Sequence, residues 1–286
     1  QLQRDMFSAV SQGLTNSKAF GNFDENVAFK DNLASLFIRH QDRLLFDAQV
    51  NSEGENSGHL NRDFQNGLEK FFQLSLLSSP PGEKFEELSA SVFKLINDGV
   101  TDLNNDALAN RDQAAFDEFV RKHNGLEPTQ YSQMLGEVLG SVLDATGFSQ
   151  ESINKDNAHR EEVIKFYTGL AFAMIPSVGG KVAGGITNEI FKHFVEEGAK
   201  YFESQGRDNI KSQIESLIGG NFDHDDQGSV NQISELVLDI FDEGLQTLPN
   251  GSSINGDATR PQFDFQEKFR DGFDTASQFT RLDNAK

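Results

Sequence analysis

The residues best suited to acid–base or metal chemistry are six histidines and 45 acidic side chains, and their spacing limits what they could do. His193 and Glu197 lie one helical turn apart, but the chain has no HExxH motif and no evident third ligand for zinc. The histidines share no common spacing, so each is expected to be solvated or to cap a helix. Cysteine is absent, which excludes disulfides, thiolate zinc sites and cysteine nucleophiles.

Two short segments partly match ligand-binding loops. Residues 223–228 (DHDDQG) begin like a calcium loop, but Ser234 occupies the twelfth position, where an EF-hand needs an acid. Residues 179–181 (GGK) match part of a phosphate loop, but Val182 follows where serine or threonine is required. We therefore expect a non-enzymatic chain with no catalytic, cofactor-binding or metal-ligating residues. Weak calcium binding by 223–228 is the alternative to an acidic turn.

The elements that would position any site are predicted to be helices. Apolar residues recur at spacings of three, four and seven, and useful runs of alternating apolar and polar residues are missing. This pattern predicts an all-α globular bundle of about nine to twelve helices. Helix ends are expected at turn-forming residues, namely Pro80-Pro81-Gly82, Asp98-Gly99, Asn124-Gly125, Gly147 and Pro176.

One apolar stretch, from Phe166 to Asn188, carries a single charge, Lys181, in a chain of formal net charge −20. Pro176 divides it into two short arms, an arrangement that resembles the central hairpin of pore-forming colicins. We expect a central buried apolar hairpin over 166–190, which reverses near 177–180. Its second arm contains a GxxxG pair, which permits close helix packing. The residues expected to be buried are Phe172, Met174, Val182 and Ile186.

Length and charge limit the remaining function classes. The 286 residues predict one α-helical domain over 1–286, with a division into 1–125 and 126–286 as an alternative. Acidic residues exceed the 25 lysines and arginines, so the surface repels phosphate backbones, and a nucleic-acid partner is not expected. The chain begins Gln1-Leu2-Gln3-Arg4, which suggests a processed or trimmed product.

Four segments follow one another along the chain, namely LASLFIRHQDRLLFDAQ, HLNRDFQNGLEKFF, REEVIKFYTGLAFAMIPSVGGKVAGG and INGDATRPQFDFQEKFRDGFDTA. In this order they resemble a helical region of large actinobacterial proteins that is labelled a tetratricopeptide-repeat region. This region is often found with type VII secretion substrates and polymorphic toxins. The resemblance covers about residues 26–286, although the Trp-containing repeat signature and a 34-residue period are absent.

The resemblance implies a secreted or cell-envelope helical module without catalysis. With the helical periodicity, it leads us to expect a non-enzymatic interaction domain of an exported bacterial protein that binds a protein partner. The alternative is a membrane-inserting effector that uses the apolar hairpin over 166–188. The sequence predicts no cofactor and does not specify an oligomeric state.

Overall fold

Every regular element in the described residues is a helix. The computed structural model describes residues 27–49, 58–77, 82–155, 157–176, 188–206, 214, 236–241 and 261–283, without the side chains of 77, 144, 146–158, 261–263 and 277–283. This confirms the predicted all-α bundle. The α-helices are α1 (Val27–Gln49), α2 (Arg62–Phe72), α3 (Phe85–Leu103), α4 (Asp106–Ala109), α5 (Gln113–Lys122), α6 (Pro128–Lys155), α7 (Asn157–Ala173), α8 (Asn188–Ser204) and α9 (Pro261–Asp283), with a π-helix (Gln73–Leu77) after α2.

Local signals define both ends of α5. The Asp112 carboxylate accepts a hydrogen bond from the Ala115 N–H at 3.0 Å and caps the first turn. After the last turn, Asn124 and Gly125 have positive φ angles of 55° and 92°. These left-handed residues end the helix, as the sequence predicted. The predicted end of α7 is also confirmed, because that helix stops at Ala173, just before the proline.

Two predicted helix ends were wrong, since Gly99 and Gly147 lie inside α3 and α6. A methyl group added at Gly99 would lie 2.4 Å from Leu135 Cδ1 and 3.0 Å from Tyr131 Cε1. This glycine therefore permits α6 to approach α3. A single glycine costs a helix about 1 kcal/mol, which tertiary packing readily offsets. The predicted stop at 80–82 falls largely outside the described residues.

Phenylalanine rings form the centre of the core. Phe93 of α3 lies 5.5 Å from Phe166 of α7, and 5.9 and 5.6 Å from Phe191 and Phe194 of α8, measured between ring centroids. One hydrophobic cluster includes buried residues from both sides of the 125/126 boundary. The single domain over 1–286 and its division into 1–125 and 126–286 stay predictions.

The first arm of the apolar stretch is buried, as predicted. Phe172 and Met174 are 2% and 0% exposed. Phe172 packs against α8, where a methyl group added at Gly198 would lie 2.8 Å from its Cβ. The Asn97 side chain donates to the carbonyls of Ala173 and Ile175 at 2.9 and 2.7 Å, and this fixes the end of α7.

The second arm of the predicted hairpin lies largely outside the described residues. Val182, Ile186, the reversal at 177–180 and the GxxxG pair at Gly180 and Gly184 all fall there. Within the described part of the chain, no helix combines the length and the apolar character that a membrane span requires.

Among the described helices, the tightest crossing joins α6 to α9. A Cβ added at Gly136 would lie 2.0 Å from the Phe269 carbonyl oxygen, and one at Gly140 would lie 2.9 Å from the Phe273 carbonyl oxygen. From the first pair to the second, the position moves four residues forward in both helices. The two helices therefore run side by side in the same direction. The sequence analysis did not identify this GxxxG pair, which allows the two backbones to meet.

Replacing Ala173 by aspartate should destabilise the fold. The side chain is fully buried, so the new carboxylate would lose its hydration without gaining a partner, at a cost of about 3–5 kcal/mol in the free energy of unfolding. Ala199→Asp, at an exposed position of α8, is the matched control and should change stability little. Urea unfolding measures both. A fully stable Ala173→Asp protein would contradict the burial of this arm.

Gly136→Ala should weaken the crossing of α6 and α9. Its methyl group must displace the Phe269 carbonyl, which we expect to cost about 1–3 kcal/mol despite the better helix propensity of alanine. Glu161→Ala, at an exposed position of α7, introduces the same residue without a clash. Chemical unfolding of both variants provides the comparison, and equal stabilities would count against the close approach.

Candidate functional site

A cleft of about 460 Å³ lies between α1 and α3 and is closed by the end of α5 and the start of α6. Charged and polar side chains from all four helices line it, so it is neither a dry cavity nor a bare apolar groove. A volume of this size suits a small molecule or one or two side chains of a partner. Its apolar walls are Ile38, Leu45, Phe46, Leu95, Leu126 and Met134.

Two polar contacts between the helices align the long walls of the cleft. The Asp31 carboxylate accepts a hydrogen bond from the Lys84 N–H at 3.0 Å, at the start of both helices. About ten residues further along α1, the buried Ser91 hydroxyl donates to the buried Gln41 side chain. The second contact lies further along both helices than the first, so α1 and α3 run in the same direction. The cleft lies along their C-terminal halves.

Asp102 of α3 anchors the end of α5. Its carboxylate accepts hydrogen bonds from Lys122 Nζ at 2.7 and 2.6 Å. It also accepts one from His123 Nε2 at 2.9 Å, and since a carboxylate only accepts, that nitrogen carries the proton. Burial raises the pKa of Asp102, but the hydrogen bonds from His123 and Lys122 outweigh it, so its pKa lies below the usual value. Asp102 therefore stays ionised and holds the imidazole in one orientation.

Tyr131 of α6 forms the floor of the cleft beside this group. Its ring centroid lies 4.0 Å from that of His123, and the residue is only 7% exposed. Burial, followed by the negative charges of Asp102, Asp42 and Asp98, raises the pKa of the hydroxyl. Tyr131 is therefore a neutral phenol, and its hydroxyl makes no hydrogen bond to any of the described residues.

The side chains that line the cleft define the chemistry available there. Its lining within the described residues includes no serine, threonine or cysteine for the imidazole of His123 to activate. It presents carboxylates, lysine and arginine side chains, a phenol and an imidazole between apolar walls. Such an arrangement can bind a charged group on an apolar stem.

A second titratable pair joins the segment before α2 to α6. His59 Nδ1 lies 2.7 Å from Glu137 Oε1, and the other carboxylate oxygen accepts a hydrogen bond from the Leu60 N–H. The Gln133 amide also contacts the imidazole, at 3.0 Å from Nε2. The Glu137 side chain is 1% exposed whereas that of His59 is 51% exposed, so the pair spans the surface and the core.

The pKa values of both partners lie above their usual values, for different reasons. The hydrogen bond to Glu137 raises the pKa of His59, because the carboxylate stabilises the imidazolium. Burial raises the pKa of Glu137, and the hydrogen bonds from His59 and Leu60 offset that effect only in part. The folded protein therefore binds protons at this pair more tightly than the unfolded chain does.

The candidate residues from the sequence are not brought together as a site. Glu197 pairs with Lys200 at 2.7 Å, and that hydrogen bond lowers the pKa of its carboxyl group. Among the described residues, no group of three or more histidine, cysteine or acidic side chains could hold a metal ion. The calcium-loop candidate at 223–228 and the GGK segment at 179–181 lie outside the described residues.

Three histidines do not fit the expectation that each one is solvated or caps a helix. His159 is buried, His123 bonds to Asp102, and His59 bonds to Glu137. The bonded partners are 21 and 78 residues apart, so no local spacing could have paired them. The one usable signal was the Asn124-Gly125 turn, which ends α5 and places His123 beside the next helix.

Comparison of the chain with protein-family models, curated proteins and solved structures found no match.

The pair formed by His59 and Glu137 should make stability pH-dependent. Because the pKa of His59 is raised in the fold, its contribution is fully present below about pH 6.5 and is lost as pH rises through the folded pKa. The pKa of Glu137 is also raised in the fold. Its contribution to stability is therefore likewise lost as pH rises above the pKa of the unfolded carboxyl group. Stability should therefore fall from mildly acidic to alkaline pH.

His59→Gln should remove most of this dependence above about pH 6. We expect the substitution to lower the free energy of unfolding by about 1 kcal/mol near that pH and by less at alkaline pH. The loss is modest because half of the imidazole is exposed. His40→Gln removes another partly exposed histidine and is the control. Urea unfolding across the pH range measures both. A difference between wild type and His59→Gln that does not change with pH would refute the assignment.

Proposed function

We propose that the chain is a non-enzymatic α-helical interaction domain of an exported or cell-envelope bacterial protein. The cleft between α1 and α3 is its contact site for a protein partner. One observation carries this proposal: apolar walls and ionised groups line a cleft of about 460 Å³ on helices that a common phenylalanine core fixes. A site on packed helices keeps its shape before the partner arrives, which lowers the entropic cost of binding.

The chemistry of the cleft supports binding over catalysis. Lys122 and His123 both bond to Asp102, so the imidazole is held by a structural contact at the end of α5. The lining within the described residues offers this imidazole no serine, threonine or cysteine to activate. Fixed side chains of this kind select a partner by charge and shape.

The cellular setting rests on the sequence. The resemblance to the helical region of actinobacterial proteins supports export, and the absence of cysteine is compatible with an oxidising compartment. The net charge of −20 favours a basic partner, because long-range attraction increases the rate of encounter.

The membrane-inserting alternative carries a physical cost. The described arm of the apolar stretch contributes Phe166, Phe172 and Met174 to the core, where each is at most 2% exposed. Insertion would have to remove these side chains from their contacts with α3 and α8. Burial of each is worth about 1.5–3 kcal/mol, so a lipid environment would have to replace that energy. The interaction domain requires no such rearrangement.

Site-specific crosslinking tests the proposed contact site. A photoreactive amino acid at Arg39, on the exposed rim of the cleft, should crosslink a protein from the envelope fraction of the source bacterium. Unlabelled wild-type protein should compete for this adduct. The same photoreactive residue at Glu161, an exposed position that does not line the cleft, should give no such competed product. Identical adducts from both positions, or no competed adduct from Arg39, would reject the contact site.

A further inference from the structure

Helix α5 is attached to the rest of the bundle by little buried surface. Of its ten residues only Phe119 is buried, whereas α2, which has eleven residues, buries seven. Ala115, Phe116 and Val120 are partly buried, and the other six residues of α5 are exposed. Because burial of apolar surface is the main attraction between packed helices, α5 is held more weakly than its neighbours.

Left-handed backbone residues lie at both ends of α5. Arg111, directly before the capping residue, has a φ angle of 57°, and Asn124 and Gly125 after the last turn have φ angles of 55° and 92°. A residue other than glycine adopts this conformation only at an energetic cost, so the surrounding contacts must hold it there. Changes in φ and ψ at the ends of an element turn the whole element, which is how hinges work.

Local hydrogen bonds join α5 and the turn after it into one unit. The Gly125 N–H donates to the Val120 carbonyl at 2.8 Å, and the Leu126 N–H donates to the His123 carbonyl at 3.1 Å. Both bonds lie within the unit, so they persist when it moves away from α3 and α6.

The contacts that hold α5 in place are concentrated at its C-terminal end. The ring centroid of Phe119 lies 5.6 Å from that of Tyr131, edge to face, and 4.2 Å from that of His123. Lys122 and His123 both bond to Asp102 of α3. The Lys122 side chain is 56% exposed, so water screens its part of this contact. We call these ring contacts and the bonds to Asp102 the latch.

Movement of α5 changes the shape of the cleft. Lys122, His123 and Asn124 form its end wall, and the ring of Tyr131 lies against the imidazole of this wall. With the wall in place, Tyr131 is 7% exposed and Leu126 is 2% exposed. The side walls belong to α1 and α3, which bury many more residues than α5 does and therefore stay in position when the end wall moves.

We propose that α5 is a lid on the cleft, which turns as a unit about the left-handed residues at its two ends and is held shut by the latch. Opening separates α5 from Asp102, uncovers Tyr131 and Leu126, and lengthens the cleft. The open lid admits a side chain of the partner that the closed end wall keeps out. The movement itself does not rest on the proposed function, whereas its role in admitting a protein partner does.

The absence of cysteine from the chain permits a direct measurement of opening. Leu126→Cys places a single thiol behind the lid, and its rate of reaction with a thiol reagent in native buffer reports the population of the open form. Val138→Cys, at a fully buried position of α6, is the matched control, because its thiol is reached only when the bundle unfolds. We expect Leu126→Cys to react about a hundredfold faster than Val138→Cys. Met134→Cys, at a buried position in the cleft lining, is the reporter if Leu126→Cys does not fold.

Matched substitutions inside and outside the latch test what holds the lid shut. Phe119→Leu should speed the labelling of Leu126→Cys about tenfold, because it weakens the latch without altering the cleft lining. Phe172→Leu makes the same change on α7, whose contacts with α8 persist when the lid opens, so it should leave this rate unchanged. Asp102→Asn should act like Phe119→Leu, since it weakens the hydrogen bonds of the latch. Lys94→Met removes an ion pair within α3 and should have no effect.

Three results would overturn the proposal. The first is equal labelling rates of Leu126→Cys and Val138→Cys, which would mean that both thiols are reached by unfolding of the bundle. The second is an equal effect of Phe119→Leu and Phe172→Leu on the thiol behind the lid. The third is a labelling rate that Asp102→Asn does not change.

The role of the lid in admitting a partner is tested separately, with the crosslink from Arg39. Phe119→Leu should speed formation of the competed adduct about tenfold, because the population of the open form limits entry. If labelling shows opening and the adduct forms at an unchanged rate, the lid does not admit the partner. If labelling shows opening and no competed adduct forms, the proposed function fails and the lid stands.

Discussion

The position of α6 is the constraint on which the other described features depend. Its backbone meets that of α9 at Gly136, where even a methyl group would lie 2.0 Å from a carbonyl oxygen. The same helix directs Tyr131 into the cleft and Glu137 towards His59. These side chains leave α6 on different faces, so a small rotation of the helix could not improve one contact without disturbing another. Close packing against α9 therefore sets the geometry of both the cleft and the pair formed by His59 and Glu137.

Phenylalanine packing fixes the opposite wall of the cleft. The chain has 26 phenylalanines, three tyrosines and no tryptophan, so most of its large rings carry no polar atom that needs a buried partner. Phe93 of α3 packs on rings from α7 and α8, and these contacts hold the helix that carries Asp98 and Asp102 in the following turns. The apolar stretch that could have been a membrane hairpin thus contributes, through its first arm, to the support of a polar cleft. A core of this kind is close-packed, and it resists displacement of one helix relative to the next.

Local patterns predicted the fold class, whereas the cleft depends on contacts that no local pattern specifies. Helical periodicity and the Asn124-Gly125 turn act within a few residues, so they were readable from the chain alone. Gly99 was misread as a helix end because the side chains that approach it come from α6, far along the sequence. The pairing of Asp102 with His123 likewise depends on where α5 ends relative to α3. Charge and length could not predict the cleft, because its walls come from four separate helices.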